Sequence, residues 1–320
     1  MSTVASPHVV VAIAAYNAGP YLVPAIRSAL EQTYDRFSVV VVDDGGTDGS
    51  VDEAVQQLSD PRLRFIRQEN AGKSAALNRV LDEADGDFLC ILDSDDIAHP
   101  ERLARLVDEV RRHPDVGGVM SGFELILNDE PAVAPLSEAK DEARCARDVE
   151  HYRMPSHDPT LMVRMDLAKR LRFDPELQVG QGYDFILRLG EQWPIRVVPD
   201  VLYGYRVRSG SATRSNVVKR VGLQHDVARR AAVRRGLVAT EEIPVVELDE
   251  KKLSNRRRDN NLANHFTASV RQLRFAGRSI AAIRTALRCI RLQPRDPLYY
   301  RPFVLAALPL PLLRRVVRQR

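Results

Sequence analysis

Residues 88–96 read FLCILDSDD: an apolar run too short for a helix, followed at once by Asp93, Ser94, Asp95 and Asp96. A short apolar stretch bounded by turn residues reads as a buried strand. The same grammar appears three times upstream. Val9–Ala14 is followed by Ala15-Tyr16-Asn17, and Phe37–Val42 by DDGGTDGS at 43–50. Leu63–Ile66 is followed, after Arg67, by QENAGKS at 68–74. Helical patterns fill the gaps. Tyr21, Leu22, Ala25, Ile26, Ala29 and Leu30 recur at three- and four-residue spacing behind Pro20. Ala75–Leu81 follows Ser74, which suits an N-cap, and Leu103–Val110 follows Pro100, which suits a helix start. Strand–helix alternation predicts an α/β fold with a mostly parallel sheet flanked by helices. Ligands of such sheets bind beyond the carboxyl ends of the strands.

Those ends carry the polar residues of this chain. Asp43, Asp44, Asp48, Glu69, Asp93, Asp95 and Asp96 would crowd one edge. Carboxylates so placed repel unless a cation or hydrogen-bond donors hold them. Hard oxygen ligands suit Mg²⁺ or Mn²⁺, which joins one or two carboxylates to substrate phosphates. Lys73 offers a point charge for a phosphate. Simpler roles exist for each motif: Asp43–Gly46 reads also as a turn, and Asp93–Asp96 as a cap for the following helix. Gly72-Lys73-Ser74 lacks the glycine that a P-loop needs at position 67, where Arg67 stands. Gly45, Gly46 and Gly49 do not match the dinucleotide fingerprint either.

In order and content, the stretches at 9–34, 37–50, 66–96, 182–189 (GYDFILRL) and 198–206 (VPDVLYGYR) resemble family 2 glycosyltransferases. These are inverting enzymes of the GT-A fold with nucleotide-sugar donors. The resemblance is dense over residues 8–110 and patchy over 155–215. It implies that Ala14, Tyr16 and Asn17 lie beside the nucleoside, with Ala14 and Ala15 replacing the family's Pro and Thr. By the same resemblance, Asp43 and Asp44 hold the donor's base, and Asn70, Gly72 and Lys73 the base and ribose. Asp93, Ser94 and Asp95 match the DXD motif, with Asp95 the likelier direct ligand of a Mn or Mg ion and Asp93 nearer the ribose. Two positions depart from the pattern. Gly182 stands where members carry the aspartate expected as general base, leaving Asp184 as the first candidate and His157 and Asp158 as others to test. Arg208 replaces a histidine that reaches metal or phosphate; it could clamp the diphosphate. The activity implied is sugar transfer from a nucleoside-diphosphate sugar to a polysaccharide or lipid-linked hydroxyl. A sugar nucleotidyltransferase would want a glycine-rich, arginine-bearing loop after the first strand. A non-catalytic nucleotide-sugar-binding relative would fit Gly182 and Arg208.

The chain divides by charge. Residues 1–200 carry 21 basic and 35 acidic side chains, and residues 201–320 carry 26 and 8, within a net charge of +4. Segregation of this kind suggests an acidic half for a cation and a basic half for an anionic partner. We expect a catalytic domain over 1–215, with a nucleotide-sugar half at about 8–125 and an acceptor half at about 126–215. A basic helical region should follow over 216–320. The polar segment 128–156 reads as a loop with some helix over the acceptor side, or as a surface insertion. Helices are expected from Asn216 to about Arg235, near Lys251–Ala276, and over Ser279–Leu292, with a break at 241–250 around Pro244. Residues 297–320 mix Tyr299, Tyr300 and Phe303 with Arg301, Arg314, Arg315, Arg318 and Arg320, the composition of an interfacial contact with an anionic membrane. They would serve equally as a packed helical cap. Arg256–Arg258 come without an aromatic-studded recognition motif, so no nucleic-acid partner is expected. The longest apolar run falls short of a span, the N-terminus lacks a signal peptide's basic region, and Cys90, Cys145 and Cys289 suggest neither disulfides nor zinc. The expected location is cytoplasmic, peripheral on the inner face of the plasma membrane.

Overall fold

The computed structural model describes residues 6–127, 133–207, 217–237 and 260–318. The four apolar runs are strands: β1 Val9–Ala15, β2 Phe37–Asp43, β3 Leu63–Arg67 and β4 Phe88–Ile91. They run parallel in the order β3-β2-β1-β4. Register puts Ala15 beside Asp43 and Asp43 beside Arg67, so the polar loops leave the sheet at one level. The sheet continues through β8 (Met162–Arg164), β6 (Gly118–Leu127), β9 (Ile195–Val207) and β5 (Ile97–Ala98), with β7 (Val133–Leu136) on β6. β8 lies antiparallel between β4 and β6, whereas β6 and β9 are parallel. The purely parallel half is therefore the half whose sequence alternates strand and helix.

Alternate strand residues bury on opposite faces, which is why the strands read as unbroken apolar runs. Val9, Val11, Ile13, Val39 and Val41 pack on α1 (Leu22–Leu30), α2 (Ser50–Gln57) and α4 (Arg102–Arg112). Val10, Ala12, Val40 and Val42 face α3 (Lys73–Glu83), α6 (Met165–Leu171) and α7 (Gln181–Gly190), with Cys145 of α5 (Glu142–Glu150) in the same cluster. The start of α3 differs from expectation: Gly72 is its N-cap, and Ser74 lies buried in the first turn, its Oγ without a hydrogen bond. Nor does the 93–96 loop cap α4, which begins after Glu101 with no side-chain cap.

The expected loop with some helix after residue 128 contains β7 and α5; residues 128–132 lie outside the described ones. The C-terminal region is helical: α8 Val217–Arg234, α9 Asn260–Phe275, α10 Ser279–Leu292, α11 Arg301–Ala307 and α12 Leu310–Arg318. The expected break at 241–250, Arg256–Arg258 and the domain boundary near 215 fall outside the described residues. Helix α8 packs Val227 and Ala231 against Leu187 of α7 and Val149 of α5. Helix α9 packs Ala263 and Phe266 on Leu125 and Leu127 of β6 and on β7. The helical region thus shares apolar clusters with the sheet. All three cysteines are buried and unpaired. Among the described residues no helix is long and apolar enough to cross a membrane.

Candidate active site

Each polar loop continues a strand's ladder for one residue and then turns. Asp44 N donates to Ala15 O, and Gln68 N to Asp43 O. The 43–50 loop folds on its own carboxylates: Asp43 Oδ1 accepts from Gly46 N at 3.0 Å, and Asp48 accepts from Gly19 N and Ser50. Partial burial would raise the Asp48 carboxyl, but those bonds hold it below the usual range. Asp48 is accordingly a loop anchor. Asn17, at φ +47°, crosses from the first loop and accepts from Thr47 N at 2.8 Å. Tyr16 beside it is 53% exposed, and Ala14, near the end of β1, is half-buried.

Asp44 joins the second loop to the third. Its carboxylate, 3% exposed, accepts from Gln68 Nε2 at 2.7 Å, Ala71 N at 2.9 Å and Gly72 N at 2.9 Å. Gly45 allows this closeness: a Cβ there would lie 2.8 Å from Asn70 N, at a φ of +73° that side chains resist. Lys73 then joins the third loop to the fourth, with Nζ 2.6 Å from Asp93 Oδ1. Burial favours the neutral amine, but Asp93, Asp158 and Asp96 outweigh it and raise the Lys73 pKa, so the ammonium persists. Asn17–Thr47, Asp44–Gly72 and Lys73–Asp93 tie all four loops into one surface.

The aspartate loop is pinned from behind by β9. Tyr203 Oη accepts from Asp93 N at 3.1 Å and donates to Asp96 Oδ2 at 2.6 Å. Arg206 N donates to Asp96 Oδ1 at 2.7 Å, and Arg206 Nε to Asp95 O at 2.8 Å. Asp96 is fully buried, and burial together with Asp93 and Asp95 pushes its carboxyl well above the usual range. It is a structural member of the loop. Asp93 and Asp95 stay half-buried. Arg102, 1% exposed, lies 4.9 Å over the Tyr203 ring and donates to Ile91 O and Pro159 O, fastening the loop to the turn at Asp158–Thr160. Tyr203 reaches Asp96 across 107 positions and Arg102 reaches Pro159 across 57, pairings that no local sequence pattern carries. Among the described residues no group of three or more His, Cys, Asp or Glu forms a ready-made metal cage. Asp93 and Asp95 carry oxygens of the kind that would suit a hard cation whose remaining ligands are phosphate and water.

On the acceptor side, Asp184 sits in the first turn of α7, its side chain 4% exposed, with Arg188 Nε at 2.7 Å and Arg234 Nη1 at 3.4 Å. Asp158 lies nearer the loops, with His157 Nδ1 3.2 Å from its Oδ1. Arg208 lies outside the described residues. A cleft of about 570 Å³ opens beside His157, walled by Lys140, Tyr152, Met154, Tyr183 and, from α9, Gln272. Gln272 Oε1 also accepts from Ser137 N at 2.8 Å, tying α9 to the cleft.

A family model described as glycosyl transferase family 2 matches residues 10–157. An uncharacterized glycosyltransferase of Methanocaldococcus jannaschii is 30% identical over 226 residues, covering 68% of this chain and 76% of that one. The succinoglycan biosynthesis protein ExoO of Rhizobium meliloti is 29% identical over 331 residues, 98% of this chain and 87% of that one. Among solved structures, S. aureus TarS 1–349 in complex with UDP-GlcNAc matches with a TM-score of 0.60 at 20% identity, over 98% of this chain and 92% of that one. That likeness shows the architecture, a GT-A-like α/β fold with C-terminal helices.

Proposed function

The chain belongs to glycosyltransferase family 2, and from that premise we propose that it moves a sugar from a nucleoside-diphosphate sugar to a hydroxyl of a polysaccharide or lipid-linked acceptor, with inversion at the anomeric carbon. The carrying observation is the linked surface of four loops, in which the Lys73 ammonium bridges from the base-side loop to Asp93. Tyr16, Asn17, Asp43, Asp44, Asn70 and Gly72 form the nucleoside end. Lys73 and the DXD residues Asp93, Ser94 and Asp95 form the diphosphate end, where Arg208 would add a clamp. Asp95, with Asp93, would hold a Mn²⁺ or Mg²⁺ shared with the diphosphate; when bound, the ion stabilises negative charge on the leaving group, an effect of several kcal/mol. Lys73 supplies further positive charge to the same oxygens. Asp44 acts through the loop it holds, keeping the 70–73 backbone against the donor.

The acceptor would approach through the cleft beside His157. The enzyme would work peripherally at the cytoplasmic face of the plasma membrane. Supporting this, α10 exposes Ile280, Ile283 and Leu287 beside Arg284, Arg288 and Arg291, and α11 exposes Phe303 and Val304. Apolar residues flanked by arginines suit an anionic lipid surface.

The test is nucleoside diphosphate release from a panel of nucleotide sugars with Mn²⁺. Release should stop on chelation and fall about 10²- to 10³-fold in Asp95→Ala. Binding of nucleotide sugars without any turnover would make the chain a scaffold and end the reading.

A further inference from the structure

We infer that Asp158 is the proton acceptor for the incoming hydroxyl, its carboxylate occupying the space that α7 leaves at Gly182. The inference rests on the glycosyl-transfer reading above and adds to it the group that completes the reaction.

Gly182 is the starting point. It lies in the first turn of α7 and is not among the positive-φ glycines, so its backbone does not require glycine. In a helix interior a glycine costs about 0.5–1 kcal/mol relative to alanine. The reason for it is contact. A Cβ at 182 would lie 2.2 Å from Asp158 Oδ2 and 2.8 Å from both Asp158 Cβ and Cγ. One carboxylate fills that volume, and it comes from the Asp158–Thr160 turn rather than from the helix. The turn is fixed to the aspartate loop through buried Arg102, which donates to Ile91 O at 2.8 Å and to Pro159 O at 2.6 Å. Lys73, Asp158 and Gly182 line one small cavity, with Lys73 bonded on its other side to Asp93. Asp158 therefore stands beside Lys73, whose ammonium also bonds Asp93, and is paired with His157, which walls the cleft proposed above for the acceptor.

Asp93 and Asp95 are assigned above to the cation and the diphosphate, and three further carboxylates are held by partners of their own. Asp44 accepts three hydrogen bonds, Asp96 is fully buried between Tyr203 and Arg206, and Asp184 is held by two guanidinium groups. Asp158 keeps 28% of its side chain exposed. Burial would raise its carboxyl, but the His157 hydrogen bond, the His157 charge and Lys73 hold it below the usual range, so it is ionised at neutral pH. His157 is a positioning residue. Its ring is set 4.9 Å from Phe123 and 4.7 Å from Tyr205, with Nδ1 on Asp158 Oδ1. In the step itself the acceptor oxygen bonds to the anomeric carbon. The bond from that carbon to the diphosphate breaks, its electron pair leaving with the nucleoside diphosphate, and the hydroxyl proton passes to the Asp158 carboxylate.

The experiment moves the carboxylate. Nucleoside diphosphate release and nucleotide-sugar affinity are measured with the same panel and Mn²⁺ for the wild-type chain, Asp158→Asn, Asp158→Ala and the double variant Asp158→Ala/Gly182→Asp. Asp158→Asn should lower the rate about 10²- to 10⁴-fold while donor Kd changes less than threefold. The double variant, which returns a carboxylate to the vacated volume from the helix side, should recover at least tenfold over Asp158→Ala. A purely structural Asp158 would shift affinity and melting temperature together and would gain nothing from Asp at 182. The inference fails if folded Asp158→Asn turns over within threefold of wild type, or if a folded double variant shows no recovery. Absence of turnover in the wild type across the panel strikes the donor reading itself, a distinct outcome.

Discussion

Among single residues, Asp44 makes the sharpest structural demand. Asp44→Ala should leave Gln68, Ala71 and Gly72 without their acceptor; an unpaired buried donor costs about 1–3 kcal/mol. Thermal melts should fall by several degrees, and nucleotide-sugar affinity should weaken at least tenfold as the 70–73 loop loosens. An unchanged melt would show that the loop holds without it. Tyr203→Phe tests the rear of the site: it removes the hydroxyl that links Asp93 N to Asp96 Oδ2, and should cut metal-dependent turnover by about tenfold, on a net loss of 1–1.5 kcal/mol. Equal metal dependence in the variant would argue that Arg206 alone pins the loop. Much of the front of the site was legible because its residues sit next to strands in the chain: Asp43, Asp44, Lys73 and Asp93 each follow an apolar run. The rear was not legible. Tyr203 meets Asp96 across 107 positions and Arg206 meets it across 110, and no local pattern carries such pairings. Gly182 was legible only as a missing residue; its meaning depended on Asp158 arriving from another element.

At the scale of elements, the packing of α9 on β7 carries a titratable group. His265 Nε2 lies 2.8 Å from Ala134 O, and burial lowers its pKa to about 4, with the Ala134 bond opposing and the His157 charge assisting. The unfolded chain takes up this proton near pH 6.5, the folded chain only near pH 4. Stability from this site is therefore complete above about pH 6.5 and is lost as the pH falls toward 4, by about 3 kcal/mol in all. His265→Gln keeps an N–H donor and removes the titration. Its urea midpoint should vary less between pH 7 and pH 4.5 than the wild-type midpoint, and parallel curves would refute the assignment. Strands β1 to β4 were legible because residues buried on both faces leave continuous apolar runs. Strand β7 was not, since four residues inside a polar stretch carry no period of their own; contact with β6 and α9 makes them a strand. Ser74 misled as a cap because the turn is set two residues earlier by Gly72, whose φ of +88° suits glycine.

For the whole molecule, the opposed charges of the two regions should appear as salt-dependent attachment to lipid. Sedimentation with phosphatidylglycerol vesicles should retain the chain at low salt and release it as ionic strength rises, with phosphatidylcholine vesicles retaining little. Ile280→Glu with Ile283→Glu should lower retention at least tenfold, since each side chain would otherwise bury on the order of 2 kcal/mol of apolar surface. Retention that ignores both salt and these substitutions would place the contact elsewhere. The charge division was plain from the sequence. What the sequence hid is that the basic region is built into the sheet's core through Ala263, Phe266, Cys289 and Tyr299. Because Gln272 walls the 570 Å³ cleft and bonds to Ser137, the proposed acceptor route would couple substrate choice to the C-terminal helices. On that reading, a chimera that grafts another relative's C-terminal helices onto this sheet would inherit a hybrid cleft, and its acceptor preference would follow a helix far from any reacting atom.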